Sequence, residues 1–290
     1  ARLVHLLAGA LGWMATWPGG HFAVADPKVW FERGPAVEIV AVEGAAPTLL
    51  RGEEGKWLID PGSKMAWANS VRPFLNYYGV NRLNGVILTA GLAKRSGCAQ
   101  ELIGSMSIGW WGESGLGGRS GVLKQWRLEM VEKKEGKRFF RAGDQVDLGK
   151  DWKVEVLWPP EGIASGRAEE DGLVMLLECG ESRLLWAGSI PGEVERKLAQ
   201  RHGEKLRAGI LIQGPSQGMN LTPEWLQAVR PNYLIRSWKA LEDDPSLSVD
   251  FDQISKEIGI TLVKLKESGA VQLMPETQNG GWAVRKSRAE

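Results

Sequence analysis

A chain of 290 residues, 43% apolar and 24% charged, has enough hydrophobic material to bury a sizeable core in one large domain. Lys and Arg total 36 against 35 Asp and Glu, a formal net charge of +1, which argues against a basic nucleic-acid wrapper and against an acidic disordered tail. Two cysteines exclude a disulfide scaffold, and three histidines leave any multi-histidine metal enzyme short of ligands.

Ala1 is not an initiator Met, so the chain reads as processed or cut from something longer. Leu3 to Trp17 is as apolar as a membrane-adjacent helix, but its roughly 15 residues fall short of the ~20 that span a bilayer. It lacks an extended basic start and a small-residue cleavage site, which argues against a signal peptide. Pro18-Gly19-Gly20 ends it. On its own residues this stretch reads as a surface or core helix, with His5 and His21 as ordinary surface or satisfied histidines.

Residues 36–43 alternate and are rich in β-branched side chains, and 48–60 reads as a hairpin turning at Glu53-Glu54-Gly55. Ser63 to Tyr78 has helical spacing, interrupted at Pro73. Residues 85–90 form a short apolar run typical of a buried strand, and 98–103 fits a short helix. The Gly- and Ser-rich 104–121 reads as a long loop, while 123–134 fits strand or helix equally. Three strands follow over 152–160, 173–180 and 182–188, the last two as a hairpin at Gly180. A charged helix over 192–202 leads to a strand at 208–213. Thr222 as N-cap and Pro223 at the first helical position open a helix through 229. A strand over 232–238 and a helix over 249–258 come next, and 260–265 with 270–274 reads as a closing hairpin. Residues 280–290 read as a frayed basic end. Two strand-rich runs with interspersed helices and no repeat predict a sandwich of sheets with outer helices.

Isolated motifs are weak. Gly214-Pro215-Ser216-Gln217-Gly218 matches G-x-S-x-G between a strand and a helix, but no histidine follows His202 to serve as base in the required order. A loop is the better reading of that match. Gly115-Leu116-Gly117-Gly118 lacks the strand and the Gly-Lys-Ser/Thr of a phosphate loop. Cys98, Cys179 and His202 stand alone, without zinc-ligand spacing. The 14 tryptophans scatter as packing residues do.

Taken in order, the segments over 36–274 resemble the C-terminal metallo-β-lactamase-like domain of ComEC-type DNA-internalisation (competence) proteins. Residues 40–62 are similar to that family's opening strand and hairpin, with the L-I-D-x-G ending at Leu58-Ile59-Asp60 and Gly62. The strand at 85–89 runs into 90–97, where the family has its ligand loop T-H-x-D-x-D-H-x-G-G. Residues 141–160 resemble a strand pair ending in L-x-P. Asp171-Gly172-Leu173-Val174 stands at an N-D-N-S-L-V turn, and 184–190 at L-L-x-x-G-D-I. Residues 210–218 fall at V-P-H-H-G-S, Arg230-Pro231 lies in a matching helix and strand, and Asp244-Pro245-Ser246 stands at H-P-S. Residues 266–273 match the closing hairpin. The ordered set is specific, whereas the individual motifs are altered.

The resemblance implies an α+β fold, an αββα four-layer sandwich of metallo-β-lactamase type, in degenerate form. It divides the chain into an apolar leader at 1–34 (the tail of an upstream membrane domain), the sandwich at 35–275 and a basic tail at 276–290. In the ligand loop the expected His, Asp, Asp and His are Ala90, Leu92, Lys94 and Arg95. The bridging Asp is Ser189, the His pair falls at Gly214-Pro215, and the last His is Asp244. Asp60 persists. Ala, Leu, Gly and Pro offer no donor atoms, and Lys94 and Arg95 repel cations, so no metal, cofactor or catalytic residue is expected. The domain would be a pseudoenzyme, associated with the bacterial inner membrane as a soluble domain on one face of it. Its partners would be the upstream membrane channel domain and single-stranded DNA, with no small-molecule substrate. It would brace, gate or hold DNA during uptake, with Lys94 and Arg95 as candidate phosphate contacts. Two alternatives stay open: an active hydrolase or nuclease with an atypical site (Ser216 or a single metal), and an envelope scaffold unrelated to DNA.

Overall fold

Residues 34–116, 120–133, 136–162, 164–237, 251–276 and 279–288 are described by a computed structural model of the chain. The apolar leader up to residue 33 and Asp244 lie outside these residues.

Two sheets are built from sequence-local hairpins and longer crossovers. The first has eight strands, ordered β17-β16-β1-β2-β3-β5-β7-β8. Its members are β1 (Ala36–Ile39), β2 (Thr48–Arg51), β3 (Lys56–Ile59), β5 (Gly85–Leu88), β7 (Trp110–Ser114), β8 (Gly136–Phe140), β16 (Val271–Pro275) and β17 (Trp282–Lys286). The second has seven strands, ordered β15-β14-β13-β12-β11-β10-β9. These are β9 (Gln145–Asp147), β10 (Lys153–Trp158), β11 (Val174–Cys179), β12 (Ser182–Gly188), β13 (Ile210–Gln213), β14 (Tyr233–Arg236) and β15 (Thr261–Lys264). A small parallel pair joins β4 (Arg82–Leu83) to β6 (Ser107–Ile108).

Successive strand side chains point to opposite faces, so Leu49 and Leu50 look in different directions, and both are fully buried. Each sheet is therefore covered on both sides. Between the sheets, Ile39, Leu50, Ile59 and Ile87 pack against Val156, Met175, Trp186 and Ile212. Outside the first sheet lie α1 (Lys64–Ala66, a π-helical turn Trp67–Val71, then Arg72–Tyr77), α3 (Ala99–Ser105) and α4 (Gly121–Lys133). They bury Trp67, Leu75, Leu102 and Trp126 against it. Outside the second lie α5 (Gly192–His202), α6 (Pro223–Val229) and α7 (Phe251–Ile258), which bury Leu198, Trp225 and Ile254. Helix, sheet, sheet and helix make four layers, as the resemblance implies.

Four local readings are corrected. The stretch at 104–121 is not all loop: Trp110–Ser114 forms β7, parallel to β5 and buried throughout. Pro73 does not break α1, because the wider π turn before it takes the Arg72 amide to the Trp67 carbonyl and makes room for the ring. Residues 260–265 and 270–274 do not form a hairpin: β15 pairs in parallel with β14, whereas β16 crosses to the other sheet and pairs antiparallel with β1. The basic end is not frayed from Trp282 to Lys286, where β17 pairs with β16 and the Trp282 indole donates to the Arg183 carbonyl at 3.1 Å.

Chain ends meet at β1. Gln272 of β16 donates to the buried Glu38 carboxylate at 2.9 Å, and Arg51 and Tyr78 bond the same group. Elsewhere packing is tight enough to forbid a methyl group. A Cβ at Gly85 would stand 2.4 Å from the Trp110 indole, which is held edge-on to Phe140 at 6.1 Å between ring centroids. Gly85→Ala is therefore expected to cost about 1–3 kcal/mol in denaturant melts. A loss below experimental error would show that the indole yields freely.

Candidate functional site

The parallel strands β3, β5, β12, β13 and β14 end on one side of the sandwich, the side where open α/β sheets bind ligands. Asp60 follows β3 with φ at 49°, a left-handed conformation unusual for a residue with a side chain. Its carboxylate compensates that strain. One oxygen accepts the Thr89 amide at 2.8 Å; the other accepts the Thr89 hydroxyl at 2.5 Å and the Arg95 guanidinium at 3.3 Å. Arg95 sits on the short helix α2 (Ala93–Ser96) and is 5% exposed. Burial pushes the Asp60 carboxyl above the ordinary carboxylate range, and Arg95 and Thr89 pull against that shift.

Facing this pair are Gly188 and Gly214, at the ends of β12 and β13, with the Gly214 amide bonded to the Gly188 carbonyl at 2.6 Å. A Cβ on Gly188 would lie 2.9 Å from Arg95 Nη1, and one on Gly214 would lie 3.4 Å from Nη2 and 2.8 Å from the Ser237 hydroxyl. The guanidinium is thus lodged between the strand ends of the two sheets, bonded to Asp60 and Thr89 of the first and packed close to Gly188 and Gly214 of the second.

A second buried network adjoins it. The Glu195 carboxylate, on α5, accepts from the amides of Leu221 (2.7 Å) and Thr222 (2.8 Å) and from the Gln213 side chain (2.6 Å). Gln213 in turn accepts from the Trp225 indole at 2.9 Å, and Asn220 bonds the Gly214 carbonyl at 3.0 Å and the Arg236 guanidinium at 3.2 Å. Burial again raises the carboxyl, and the donated bonds from Thr222, Leu221 and Gln213 oppose it. Glu195 caps α6 through two backbone amides, a task the Thr222 hydroxyl does not perform.

Two loops close over the strand ends. Asp171 accepts the amides of Ser165 (2.8 Å) and Gly166 (3.3 Å), and the Leu173 amide bonds the Thr89 carbonyl at 2.7 Å. From the opposite side the Gln217 amide reaches the Glu169 carboxylate at 2.9 Å. Asp60, Ala90, Arg95, Ser189, Gly214, Pro215 and Ser216 are all buried beneath. The Ser216 hydroxyl donates to the Gly218 carbonyl of its own loop.

Asp60, Arg95 and Gly214 are brought together, and Gly188, which the sequence reading does not single out, joins them. Lys94 is not part of this group: its ammonium pairs with Glu43 at 2.5 Å, and the side chain is exposed. Arg95 faces Asp60 rather than solvent, which corrects its reading as a phosphate contact. Leu92 is half-buried and precedes α2. The Glu195 network is absent from the sequence reading. Its signal is a carboxylate three residues before Leu198, inside the apolar stripe of α5.

Metals of the kind held by related folds do not fit these residues. Ala90, Leu92, Gly214 and Pro215 carry no donor side-chain atom, and a guanidinium occupies the space beside the remaining carboxylate. Among the described residues, no group of three or more His, Cys, Asp and Glu side chains converges. No helix among them is long and apolar enough to cross a membrane.

No family model matches the chain, and no curated protein matches it in sequence. Solved structures do match in shape. The metallo-beta-lactamase fold protein YhfI from Bacillus subtilis superposes with a TM-score of 0.54 at 11% identity, covering 80% of this chain and 96% of that one. CmlA, a diiron beta-hydroxylase from Streptomyces venezuelae, gives 0.53 at 14% identity over 81% of this chain and 53% of its own. Zn(2+)-bound PqqB from Methylobacterium extorquens gives 0.50 at 11% identity, covering 79% and 87%. Identities this low speak for architecture alone. Together with the four layers, they establish that the chain has the metallo-β-lactamase fold.

Proposed function

We propose that this is a non-catalytic metallo-β-lactamase-fold domain whose Arg95 guanidinium serves as the fixed cation between the two sheets. The observation that carries the reading is the guanidinium itself, buried 3.3 Å from Asp60 and hard against Gly188 and Gly214. A hydrolytic metal centre needs several His or carboxylate donors around an open coordination position. Here the cation is covalently part of the chain, its partner carboxylate is already bonded by Thr89, and loops 165–173 and 214–222 cover both.

The ordered segments over 36–274 support a wider setting: a ComEC-type DNA-internalisation protein at the inner membrane, in which this domain braces or gates the membrane channel domain during passage of single-stranded DNA. Lys94, exposed and paired with Glu43, is the remaining candidate phosphate contact of the original pair.

The test is metal content. Purified protein, incubated with zinc and manganese and then desalted, is expected to retain less than about a tenth of an equivalent by mass spectrometry. One or more equivalents, retained on desalting and removed by EDTA, would overturn the reading.

A further inference from the structure

The outer edge of the eight-stranded sheet is both charged and aromatic. Among the described residues strand β8 pairs only with β7, and its first four residues, Gly136 to Phe139, are exposed. Natural edges are blunted by charged side chains, by proline or by short length, and β8 has both charge and short length. Its two cations are folded back onto rings. Lys137 Nζ lies 4.1 Å from the centre of the Phe139 ring and 5.7 Å from that of Trp111, and the Arg138 guanidinium lies 4.3 Å from that of Trp110. No described strand pairs with the outer backbone edge, and Phe139 is 54% exposed.

Neither Lys137 nor Arg138 forms an ion pair with a described residue. Glu113, whose charge reaches Lys137, is buried and already held at both oxygens by Arg127, at 2.7 and 2.9 Å. Arg141, beyond the end of the strand, is paired with Glu161. Among the described residues the strand thus offers a backbone edge without a partner strand, an aromatic face and two cations that form no ion pair.

A second copy of this chain is a poor occupant. Antiparallel pairing of β8 with itself, centred on Arg138, sets that arginine against its own copy, and a one-residue slip toward Lys137 sets lysine against arginine; only the opposite slip, which sets Arg138 against Phe139, avoids a like-charge pair. Like charges directly opposite are destabilising. Opposite charges stabilise the same positions, and main-chain pairing to a free edge supplies affinity.

We propose that β8 is a docking strand for an acidic, extended segment of a partner protein, which adds to the sheet alongside it. Side chains of the incoming strand alternate between the Lys137/Phe139 face and the Arg138 face, so carboxylates on both faces are recognised. This surface is separate from the Asp60–Arg95 site and does not depend on the metal content of that site.

The experiment uses the whole chain and three fluorescent probes: a short Glu/Val peptide of Val-Glu-Glu-Val repeats, whose paired glutamates fall on both faces of a strand, its Lys/Val counterpart and an oligothymidylate. Anisotropy is expected to show saturable binding of the Glu/Val peptide alone. Lys137→Glu with Arg138→Glu should weaken it about tenfold or more and favour the Lys/Val peptide. In the unaltered protein, hydrogen exchange at 136–140 should slow when the Glu/Val peptide is added, which reports backbone pairing whether or not the variant folds. Equal binding of both peptides, no binding, unchanged exchange at 136–140, or preference for the oligothymidylate would each overturn the proposal.

Discussion

Arg95→Ala is expected to lower the unfolding free energy by about 3–5 kcal/mol at neutral pH, the cost of stranding a buried charge. Asp60 is 1% exposed and would keep only the bonds from Thr89. Adding Asp60→Asn should recover part of the loss, because the amide carries no charge into the same space while its oxygen still accepts the Thr89 amide. Acidity provides a second readout. Burial already holds the Asp60 carboxyl above its ordinary range, and Arg95 is the largest influence opposing that. Removing Arg95 raises the folded value further. An acid whose folded pKa exceeds its unfolded one contributes its full stability below the unfolded value and loses it as pH rises through the folded value. The deficit of the Arg95→Ala variant should therefore be small near pH 4 and grow toward pH 8. Denaturant melts across that range check the claim. A deficit that is flat with pH would mean that Asp60 does not sense Arg95.

Glu195→Ala is expected to have an effect of similar size, about 3–5 kcal/mol, for a different reason. It leaves the amides of Leu221 and Thr222 and the Gln213 side chain without their acceptor inside the protein, and each unsatisfied buried donor costs about 1–3 kcal/mol. Leu221 also holds φ at 62°, a strained conformation for a leucine that these bonds help to maintain. Glu195→Gln should cost less, about 1–3 kcal/mol, because its oxygen still accepts two donors while its amino group is turned against the Thr222 amide. Melts give the magnitudes. Amide exchange localises them, with the largest acceleration expected over 214–222. Acceleration spread evenly along the chain would show that Glu195 does not hold this loop.

Much of the fold is legible in sequence because each strand carries its own pattern. The hairpin over 48–60 is bounded by a turn-forming Glu-Glu-Gly, and α5 begins and ends where its residues predict. What escapes is set by neighbours rather than by pattern. Strand β7 hides in a Gly-rich stretch because Gly112 must be small to admit the Phe140 ring, 2.1 Å from any added Cβ. Strand β17 looks like a polar tail because only alternate residues of an edge strand need to be apolar. At the site, ordered comparison finds Asp60 and Arg95 but misjudges where Arg95 points. Its charge gives no direction, and the glycines at 188 and 214 that leave space for it are distant in sequence.

The meeting of β1 with β16 bears on how such a chain is made. The first strand of the fold is completed by one that begins 235 residues later, at Val271, with Gln272 satisfying a buried acid on the first. Pairing across so long a stretch makes closure slow, and its entropy cost falls before the contacts repay it. During synthesis β1 therefore carries an open edge, and Glu38 lacks its Gln272 bond, until the ribosome has passed residue 275. Nothing can use this domain as a finished support before then, and a chain cut short of residue 271 is left with an adhesive edge instead of a sandwich.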